Sequence, residues 1–279
     1  MSVASKKPDL PVQFGVYISL LIVIVLTLVP FYWMIVGATL PQDQFFTYPP
    51  RFLPGTHFFE NLADLRDRFP YLLSIWNSIF VATVYTVLSL FLCSLAGFAF
   101  AKYEFAYKEY LFYFILATVV LPVQIMIIPL FLLMANFGLL DTHIALILPF
   151  AANPVGIFLM RQSMKSIPDS WLDSARIDGA SEFQLYYRIA LPSVKPALAA
   201  LSVILFLFQW NAFLYPLVVL TSEELFTIPL AIERLVGQHR LYFDQIMVAT
   251  ALAIIPITIL FLLLQKYFVR GFAGTAYQP

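Results

Sequence analysis

Residues 166–192 read SIPDSWLDSARIDGASEFQLYYRIALP and form a polar block between apolar stretches of the chain. The block holds six charged residues, which are Asp169, Asp173, Arg176, Asp178, Glu182 and Arg188. A compact charged segment in apolar surroundings predicts a surface on which another protein docks.

On either side of the block, the chain has the composition of an integral membrane protein. Of its 279 residues, 61% are hydrophobic and 11% are charged, whereas about 25% are charged in a soluble domain. A membrane-spanning helix needs about 20 apolar residues. The stretches free of Asp, Glu, Lys and Arg therefore predict one span each, at 14–36, 72–101, 110–134, 144–160, 196–220 and 245–265. We predict an all-α integral membrane protein with six transmembrane helices and a helix-turn-helix between spans 4 and 5.

The basic residues predict which way the chain is inserted. With a cytoplasmic N-terminus, 11 Lys and Arg residues flank the cytoplasmic ends of the spans and 5 flank the opposite ends, as the positive-inside rule requires. Both termini and the polar block then face the cytoplasm. The predicted organisation is an N-terminal segment over 1–13, a transmembrane domain over 14–267 that includes the loop 165–192, and a C-terminal tail over 268–279. The first apolar run is longer than that of a signal peptide and predicts an uncleaved span.

The spans lack the groups that would power transport or catalysis. No ionisable residue lies inside a predicted span, whereas proton- and voltage-driven carriers usually keep such groups at depth. The chain also has no G-x-x-x-x-G-K-[ST] phosphate loop, so the energy for transport would come from a partner. We predict no catalytic residue, cofactor or metal site, and the zero net charge argues against a nucleic-acid partner.

Neutral polar and aromatic side chains in the spans are the candidates for a substrate path. Asn153, Trp210, Asn211 and Tyr215 could hydrogen-bond and stack on a neutral polyhydroxylated solute. For each residue alone, the favoured alternative is an ordinary hydrogen bond or packing contact between helices. Seven prolines in or near the spans could bend helices around such a path, or could be packing kinks: Pro30, Pro122, Pro129, Pro149, Pro154, Pro216 and Pro256.

Local signals within the polar block predict two short helices. Ser170 with Asp173 is close to a capping box and predicts a helix over 171–178, which Gly179 ends. Ser181 with Gln184 is a full capping box for a second helix, which Pro192 is expected to end. This mixture of charges and apolar residues suits docking into a groove on a partner; a loop without a partner is the alternative.

The block also carries a recognisable motif. Residues 173–180 read DSARIDGA and residues 189–192 read IALP, which resembles the EAA loop of ABC importer permeases, E-A-A-x-x-D-G-A followed by I-x-L-P. Further residues are similar to the carbohydrate-uptake, MalG-type subfamily: Ile167-Pro168, Lys195-Pro196, Trp210-Asn211, 253–256 and 265–271. Two positions depart from the motif, since Asp173 replaces Glu and Ser174 replaces Ala.

The resemblance implies a function and a set of partners. The permease would couple to an ATPase through Asp173, Ser174, Ala175, Asp178, Gly179 and Ala180. It would lie in the plasma (inner) membrane of a prokaryote, among membrane lipid, with a homologous second permease, two ATPase subunits and an extracytoplasmic solute-binding protein that reaches residues 221–244. The substrate would be a carbohydrate, and the chain itself would not hydrolyse ATP.

Three other interpretations remain open from the sequence. One is a self-sufficient secondary carrier or facilitator, and another is a membrane protein of assembly or signalling. The third is an ABC permease for a non-sugar solute, such as a glycerophosphodiester or a peptide. A phosphate-bearing substrate would favour a buried Arg or Lys, which the predicted spans lack although the second permease could supply one.

Overall fold

The computed structural model describes the backbone of residues 10–236 and 241–275, and the side chains of 13–236 and 241–265. Residues 1–9 of the predicted N-terminal segment and residues 276–279 of the predicted tail lie outside the described residues, as does Arg240 of the loop 221–244.

The described residues are folded almost entirely as helices, which confirms the all-α prediction. They contain no strand, and their one extended pairing is an isolated antiparallel bridge between Val236 and Leu241. The α-helices are α1 Leu10–Ala38, α2 Phe58–Arg68, α3 Tyr71–Lys102, α4 Lys108–Ala117, α5 Val123–Asn136, α6 His143–Ile147, α7 Pro154–Lys165, α8 Asp169–Ile177, α9 Glu182–Gln184, α10 Leu191–Ser193, α11 Lys195–Trp210, α12 Leu214–Val219, α13 Ile228–Leu235 and α14 Phe243–Thr275. Short 3-10 turns lie at Gln42–Gln44, Thr118–Val120, Leu148–Phe150 and Glu223–Leu225, and a π-helical turn at Leu185–Ala190.

Three helices are long and apolar enough to cross a membrane unbroken. They are α1, α3 and α14, and they contain the predicted spans 14–36, 72–101 and 245–265. The remaining candidates are bent pairs: Lys108–Val120 with Val123–Asn136 at 104°, His143–Phe150 with Pro154–Lys165 at 47°, and Glu182–Ser193 with Lys195–Trp210 at 82°. The described helices therefore give six spans if each bent pair counts as one, and three otherwise.

The predicted span at 110–134 is broken into two helices. The helical path is interrupted at Leu121, whose backbone is extended (φ −75°, ψ 117°), and the next helix, α5, starts after Pro122. A residue before proline is pushed out of the α-helical region, and proline has no N–H with which to continue the helix. Residues 196–220 are also discontinuous, because α11 ends at Trp210 and α12 begins at Leu214.

The described residues fall into two compact units. One contains the residues up to Arg68 together with Leu235–Leu252, and the other contains Phe69–Arg234 together with the residues from Ala253 onward. We refer to them as the first and the second unit.

In the first unit, α1 is an apolar helix with a fully exposed span. None of its span window is buried, and burial begins only at its end, where Val36 and Ala38 are covered. The Asn61 side chain in α2 donates hydrogen bonds to the carbonyls of Ala38 (3.1 Å) and Leu40 (2.9 Å), which satisfies groups that a helix end leaves open. Helix α2 lies in the segment between the first two predicted spans, 14–36 and 72–101.

In the second unit, the core forms where α3 packs against α7 and α11. Two glycines permit the close approach. A Cβ on Gly97 would lie 2.6 Å from the Met160 Cβ and 2.8 Å from the Arg161 backbone nitrogen, and one on Gly156 would lie 2.8 Å from the Cys93 sulfur. Small residues at helix contacts are the usual means of packing helices in membranes.

We expect Gly97→Leu to destabilise the protein by about 1–3 kcal/mol, because the new side chain must displace the backbone of α7. Gly15→Leu is the matched control, since a Cβ at Gly15 meets nothing within 4 Å. The thermal stability of both variants in detergent is the measurement. Equal melting of the two variants would contradict the assigned helix contact.

Candidate docking site and cavity

The first helix of the polar block starts two residues earlier than the sequence predicted. Helix α8 begins at Asp169, with Pro168 at the N-cap and no side-chain cap, so the prediction that Ser170 caps it is wrong. The fixed φ of proline pre-organises a helix start, and the Asp169 carboxylate lies in the first turn, where the helix dipole favours it. Ser170 instead lies inside the helix, where its carbonyl accepts a hydrogen bond from the Ser174 hydroxyl (2.8 Å).

The end of α8 confirms the predicted glycine turn. Gly179 has φ +85°, a left-handed conformation that favours glycine. The Ala180 N–H donates to the Ala175 carbonyl (2.9 Å), and the Gly179 N–H donates to the Arg176 carbonyl (3.0 Å). These two bonds define a Schellman motif, so the D-G-A sequence is a helix-stop device that fixes Ala175, Gly179 and Ala180 relative to one another.

The second helix of the block starts as predicted and ends later. The capping box of Ser181 and Gln184 is present with both hydrogen bonds. The helical path then continues through the π turn Leu185–Ala190 and breaks only at Val194, so the prediction that Pro192 ends it is wrong. A wider π turn shifts the carbonyls with which a proline ring would clash in a regular helix.

Arg176 joins the two helices of the block. Its Nη1 donates to Asp173 Oδ1 (2.9 Å), and its Nε donates to Glu182 Oε1 (3.0 Å). The guanidinium and the Tyr103 hydroxyl hold the pKa of the Glu182 carboxyl below its ordinary value. Asp173 thus has an intrachain partner, and its side chain remains 63% exposed.

The polar block is fastened to the end of α3 by two neighbouring residues. The buried Lys102 ammonium donates to the Ile167 carbonyl (2.5 Å) and to Asp169 Oδ1 (2.7 Å). The Tyr103 hydroxyl donates to the Glu182 carboxylate, and burial together with that carboxylate raises the pKa of Tyr103 to about 12. The sequence did not indicate either residue as part of a site, because Lys102 appears there only as a basic residue at the end of a span.

The block exposes several large apolar side chains. Its large exposed side chains are Trp171, Ile177, Phe183 and Tyr187, of which Ile177 is 87% exposed. The rings of Phe183 and Tyr187 stack with their centroids 6.4 Å apart. Ser174, Asp178 and Gly179 are exposed on the same short segment. An apolar patch with a polar rim is typical of a protein interaction site.

A cavity of about 320 Å³ lies elsewhere in the second unit. It is lined by Val123, Gln124, Ile127, Phe150, Phe208, Gln209, Asn211, Ala212, Phe213, Leu214, Tyr215 and Pro216. Of the four predicted path residues, Asn211 and Tyr215 are in this lining. Asn153 and Trp210 are not, because Asn153 caps α7 through the Gly156 N–H (3.0 Å) and Trp210 is buried in a stack on Phe206.

The cavity offers hydrogen-bonding groups without charge. Its polar side chains are Gln124, Gln209, Asn211 and Tyr215, set among three phenylalanines. The Tyr215 hydroxyl is buried and makes no hydrogen bond with any described residue. A buried hydroxyl without a hydrogen bond destabilises the folded state by about 1–3 kcal/mol. A hydrogen bond to a ligand hydroxyl would offset this loss. No local pattern in the sequence brings Gln124 and Gln209 together, because only the breaks at Pro122 and after Trp210 place them in one lining.

Asp141 holds helix α12, which carries Tyr215. Its carboxylate accepts hydrogen bonds from the Thr221 N–H (2.9 Å), the Ser222 N–H (3.0 Å) and the Ser222 hydroxyl (2.5 Å). The Asp141 N–H donates to the Val219 carbonyl (3.0 Å) at the end of α12. The hydrogen bonds from Ser222, and then that from Thr221, lower the pKa of Asp141 from its ordinary value of 3.8 to about 2.

A protein-family model decides the family of the chain. Residues 89–274 match the family described as "Binding-protein-dependent transport system inner membrane component". The chain belongs to this family. Its members are membrane permeases of ABC importers, and the ATPase is a separate subunit. Membership therefore confirms the resemblance and the membrane location, and it sets aside the self-sufficient carrier and the assembly protein.

Relatives of this permease are similar over most of its length. It is 36% identical over 270 residues to the lactose transport system permease protein LacG of Rhizobium radiobacter, with 97% of each chain covered. It is 38% identical to the arabinooligosaccharides transport system permease protein AraQ of Bacillus subtilis, with 70% of each chain covered. It is also 33% identical to the sn-glycerol-3-phosphate transport system permease protein UgpE of Yersinia pestis, over 91% of this chain and 94% of the relative.

Solved structures share the fold of the permease. A chain of a bacterial ABC transporter involved in the import of the acidic polysaccharide alginate superposes with a TM-score of 0.79 at 22% identity, over 95% of this chain and 100% of the other. A second structure, of a bacterial alginate ABC transporter in complex with an alginate pentasaccharide-bound periplasmic protein, gives a TM-score of 0.65 at 18% identity, over 92% and 94%.

We expect the hydrogen bond between Ser222 and Asp141 to make a pH-dependent contribution to stability. Because the folded-state pKa lies below the ordinary 3.8, the contribution is complete above that pH and is lost as the pH falls towards 2. Ser222→Ala should lower the melting temperature at pH 6, and the deficit should shrink below pH 4. Ser202→Ala, which removes a hydroxyl bonded only to the Ala199 carbonyl of its own helix, should show no such trend. A deficit for Ser222→Ala that does not change with pH would contradict the assignment.

Proposed function

We propose that this permease imports sugars or oligosaccharides as one of two homologous membrane subunits, driven by two ATPase subunits and supplied by an extracytoplasmic solute-binding protein. The observation that carries the substrate class is the 36% identity to a lactose permease over 97% of both chains. The similarity to an arabinooligosaccharide permease supports the same class. The transporter lies in the inner membrane of a prokaryote and is surrounded by lipid.

The proposed organisation follows the distribution of basic residues. The N-terminal segment 1–13, the tail 268–279 and the coupling loop 165–192 face the cytoplasm, and six spans within 14–267 form the permease domain. The loop 221–244 then lies outside, where the solute-binding protein delivers substrate. Support for this orientation comes from the 11 to 5 distribution of Lys and Arg.

The polar block is the proposed docking site of the ATPase. The exposed Asp173, Ser174, Asp178 and Gly179 and the half-buried Ala175 and Ala180 supply the contact, with the exposed apolar side chains around them. Because the Schellman motif and the Arg176 ion pairs stiffen the hairpin, a movement of the ATPase shifts the block as one body. Lys102 and Tyr103 then pass the displacement to α3, the central helix of the second unit.

The cavity is the proposed part of the substrate path in this subunit. Asn211 and Tyr215 supply hydrogen-bonding groups, and the phenylalanines supply apolar faces for a sugar ring. Trp210 and Asn153 support the path indirectly, since the first stacks on Phe206 of its own helix, α11, and the second caps α7. A cavity without charged side chains favours a neutral solute.

A phosphorylated polyol is the second candidate substrate, because UgpE is 33% identical over most of both chains. The cavity does not favour it, since none of the lining residues is charged. The buried cations Lys102 and Arg161 already form ion pairs, with Asp169 and Glu109. Uptake assays of the reconstituted transporter with a disaccharide and with glycerol 3-phosphate separate the two candidates.

We expect Gly179→Pro and Asp173→Lys to abolish ATP-driven uptake and to leave membrane insertion intact. Proline removes the N–H that stops α8, and lysine reverses the charge of the docking face. Gly138→Pro is the matched control, because Gly138 also has φ +66° and also donates its N–H to the helix before it (Ala135 carbonyl, 3.0 Å). In the Gly138→Pro control, uptake per inserted transporter should match that of the parent protein. Normal uptake in both block variants would refute the coupling role.

We expect Tyr215→Phe to weaken uptake without destabilising the fold. The hydroxyl has no partner among the described residues, so its removal should leave the melting temperature unchanged or higher. One lost ligand hydrogen bond of about 0.5–1.5 kcal/mol corresponds to a half-saturation concentration about 2- to 12-fold higher. Tyr113→Phe, at an exposed position outside the lining, should match the parent. Unchanged transport by Tyr215→Phe would remove this residue from the path.

A further inference from the structure

The segment between α1 and α2 exposes an unusual number of aromatic side chains. Phe46 is 77% exposed, Tyr48 is 97% exposed and Phe52 is 62% exposed. Leu53 and Phe59 add further exposed apolar surface. Isolated exposed apolar residues are common, but a cluster of this kind marks a surface that something apolar covers.

Phe46, Tyr48 and Phe52 lie along a cleft of about 480 Å³ within the first unit. The cleft is lined by Trp33, Phe45, Phe46, Thr47, Tyr48, Pro50, Phe52, Phe243 and Met247. Its lining contains six aromatic residues and no charged one. It is therefore suited to an apolar ligand.

The cleft is held together by specific contacts. The Tyr32 hydroxyl of α1 donates to the Phe52 carbonyl (2.6 Å), and the rings of Trp33 and Phe52 lie 5.8 Å apart. On the other side, Phe46 meets Phe243 of α14 edge-on at 5.0 Å. The cleft is thus a built feature between the end of α1, the loop and the start of α14.

The position of the cleft along its two helices places it where the chain leaves the membrane. Trp33 lies five residues before the end of α1, and Met247 is the fifth residue of α14. With a rise of about 1.5 Å per residue, both side chains lie about one turn inside a spanning helix. Trp and Tyr residues are enriched at this depth of the bilayer, between the hydrocarbon core and the lipid headgroups.

Helix α1 contributes Trp33 to the cleft, and none of its span window is buried among the described residues. In a membrane protein, an apolar helix surface of this kind is covered by acyl chains or by another membrane subunit.

A cationic residue is adjacent in the chain to two of the lining residues. Arg51 stands between the lining residues Pro50 and Phe52, is exposed, and has no hydrogen bond or ion pair with any residue that the structure describes. A guanidinium next to an apolar cleft at headgroup depth complements a phosphate group, to which it can donate two parallel hydrogen bonds.

We propose that this cleft is a phospholipid-binding site, in which one acyl chain lies against the aromatic lining and the lipid phosphate pairs with Arg51. The site is distinct from the polar block and from the 320 Å³ cavity, and it does not depend on the substrate of the transporter. The lipid fills the space between the loop and α1 and fixes the loop at the membrane surface.

Trp33 provides a built-in reporter for the test. A variant with Trp76→Phe, Trp171→Phe and Trp210→Phe keeps Trp33 as the sole tryptophan of the four in the chain. The full-length protein in detergent is titrated with phosphatidylglycerol that carries brominated acyl chains, which quench tryptophan on contact. We expect saturable quenching. Quenching that rises linearly without saturation would overturn the proposal.

Matched variants assign the two halves of the site. Arg51→Gln should raise the half-saturation concentration 3- to 10-fold, whereas Arg66→Gln, at another exposed arginine without a described partner, should leave it unchanged. The double change Phe46→Ser and Tyr48→Ser should remove the saturable component. Equal effects of the two arginine changes would overturn the role of Arg51.

Two further titrations identify the ligand. Brominated diacylglycerol, which lacks the phosphate, should bind more weakly, and millimolar inorganic phosphate should not displace the lipid. Displacement by inorganic phosphate would show an anion site rather than a lipid site. Loss of the quenching on addition of the second permease subunit would show that a protein occupies the cleft, and would overturn the proposal.

Discussion

The close contact of α3 with α7 is the constraint on which the second unit depends. At Gly97 the backbone of one helix lies so near the other that even a Cβ would be 2.8 Å from the Arg161 nitrogen. This close packing holds α3 in place, and residues at both of its ends form hydrogen bonds to other segments. At one end, the Asn77 side chain donates to the carbonyls of Glu224 (2.7 Å) and Phe226 (3.1 Å); at the other, Lys102 and Tyr103 hold the polar block. In the proposed coupling, a helix fastened in this way carries the displacement of the polar block into the core of the second unit.

Charged side chains at the helix ends near the membrane form ion pairs. Arg161 is 5% exposed, donates to the Phe100 carbonyl (3.3 Å) and to Glu109, and lies 3.8 Å from the centroid of the Phe112 ring. Removing one member of such a pair is costly, because the other remains buried without compensation. The buried cations Lys102 and Arg161 thus act as anchors for the polar block and its surroundings.

Broken helices provide the cavity. Helix α5 starts after Pro122, at a bend of 104°. A second helix interruption lies between Trp210 and Leu214. A continuous helix would distribute these polar and aromatic side chains around its circumference. Each break instead places them beside one another. Irregular backbone at membrane depth is tolerated where it lines a cavity, and the same breaks that end the helices place these groups in the cavity lining.

The amino-acid sequence by itself determined the membrane class, the unbroken spans, the glycine stop at Gly179 and the capping box at Ser181, because these depend on hydrophobicity and on contacts within a few residues. It also carried the DSARIDGA motif that shows the family. It could not determine that α8 begins at Asp169, that the helix passes Pro192, or that the span at 110–134 is broken, since each outcome depends on competition between neighbouring turns. Only the tertiary structure decided that Tyr215 and Asn211 share a cavity while Trp210 is buried, and that Lys102 and Tyr103 fasten the polar block. The contacts of Lys102 and Tyr103 join residues dozens of positions apart, and the cavity forms only because residues 123–127 meet residues 208–216, so no local pattern in the chain encodes either feature.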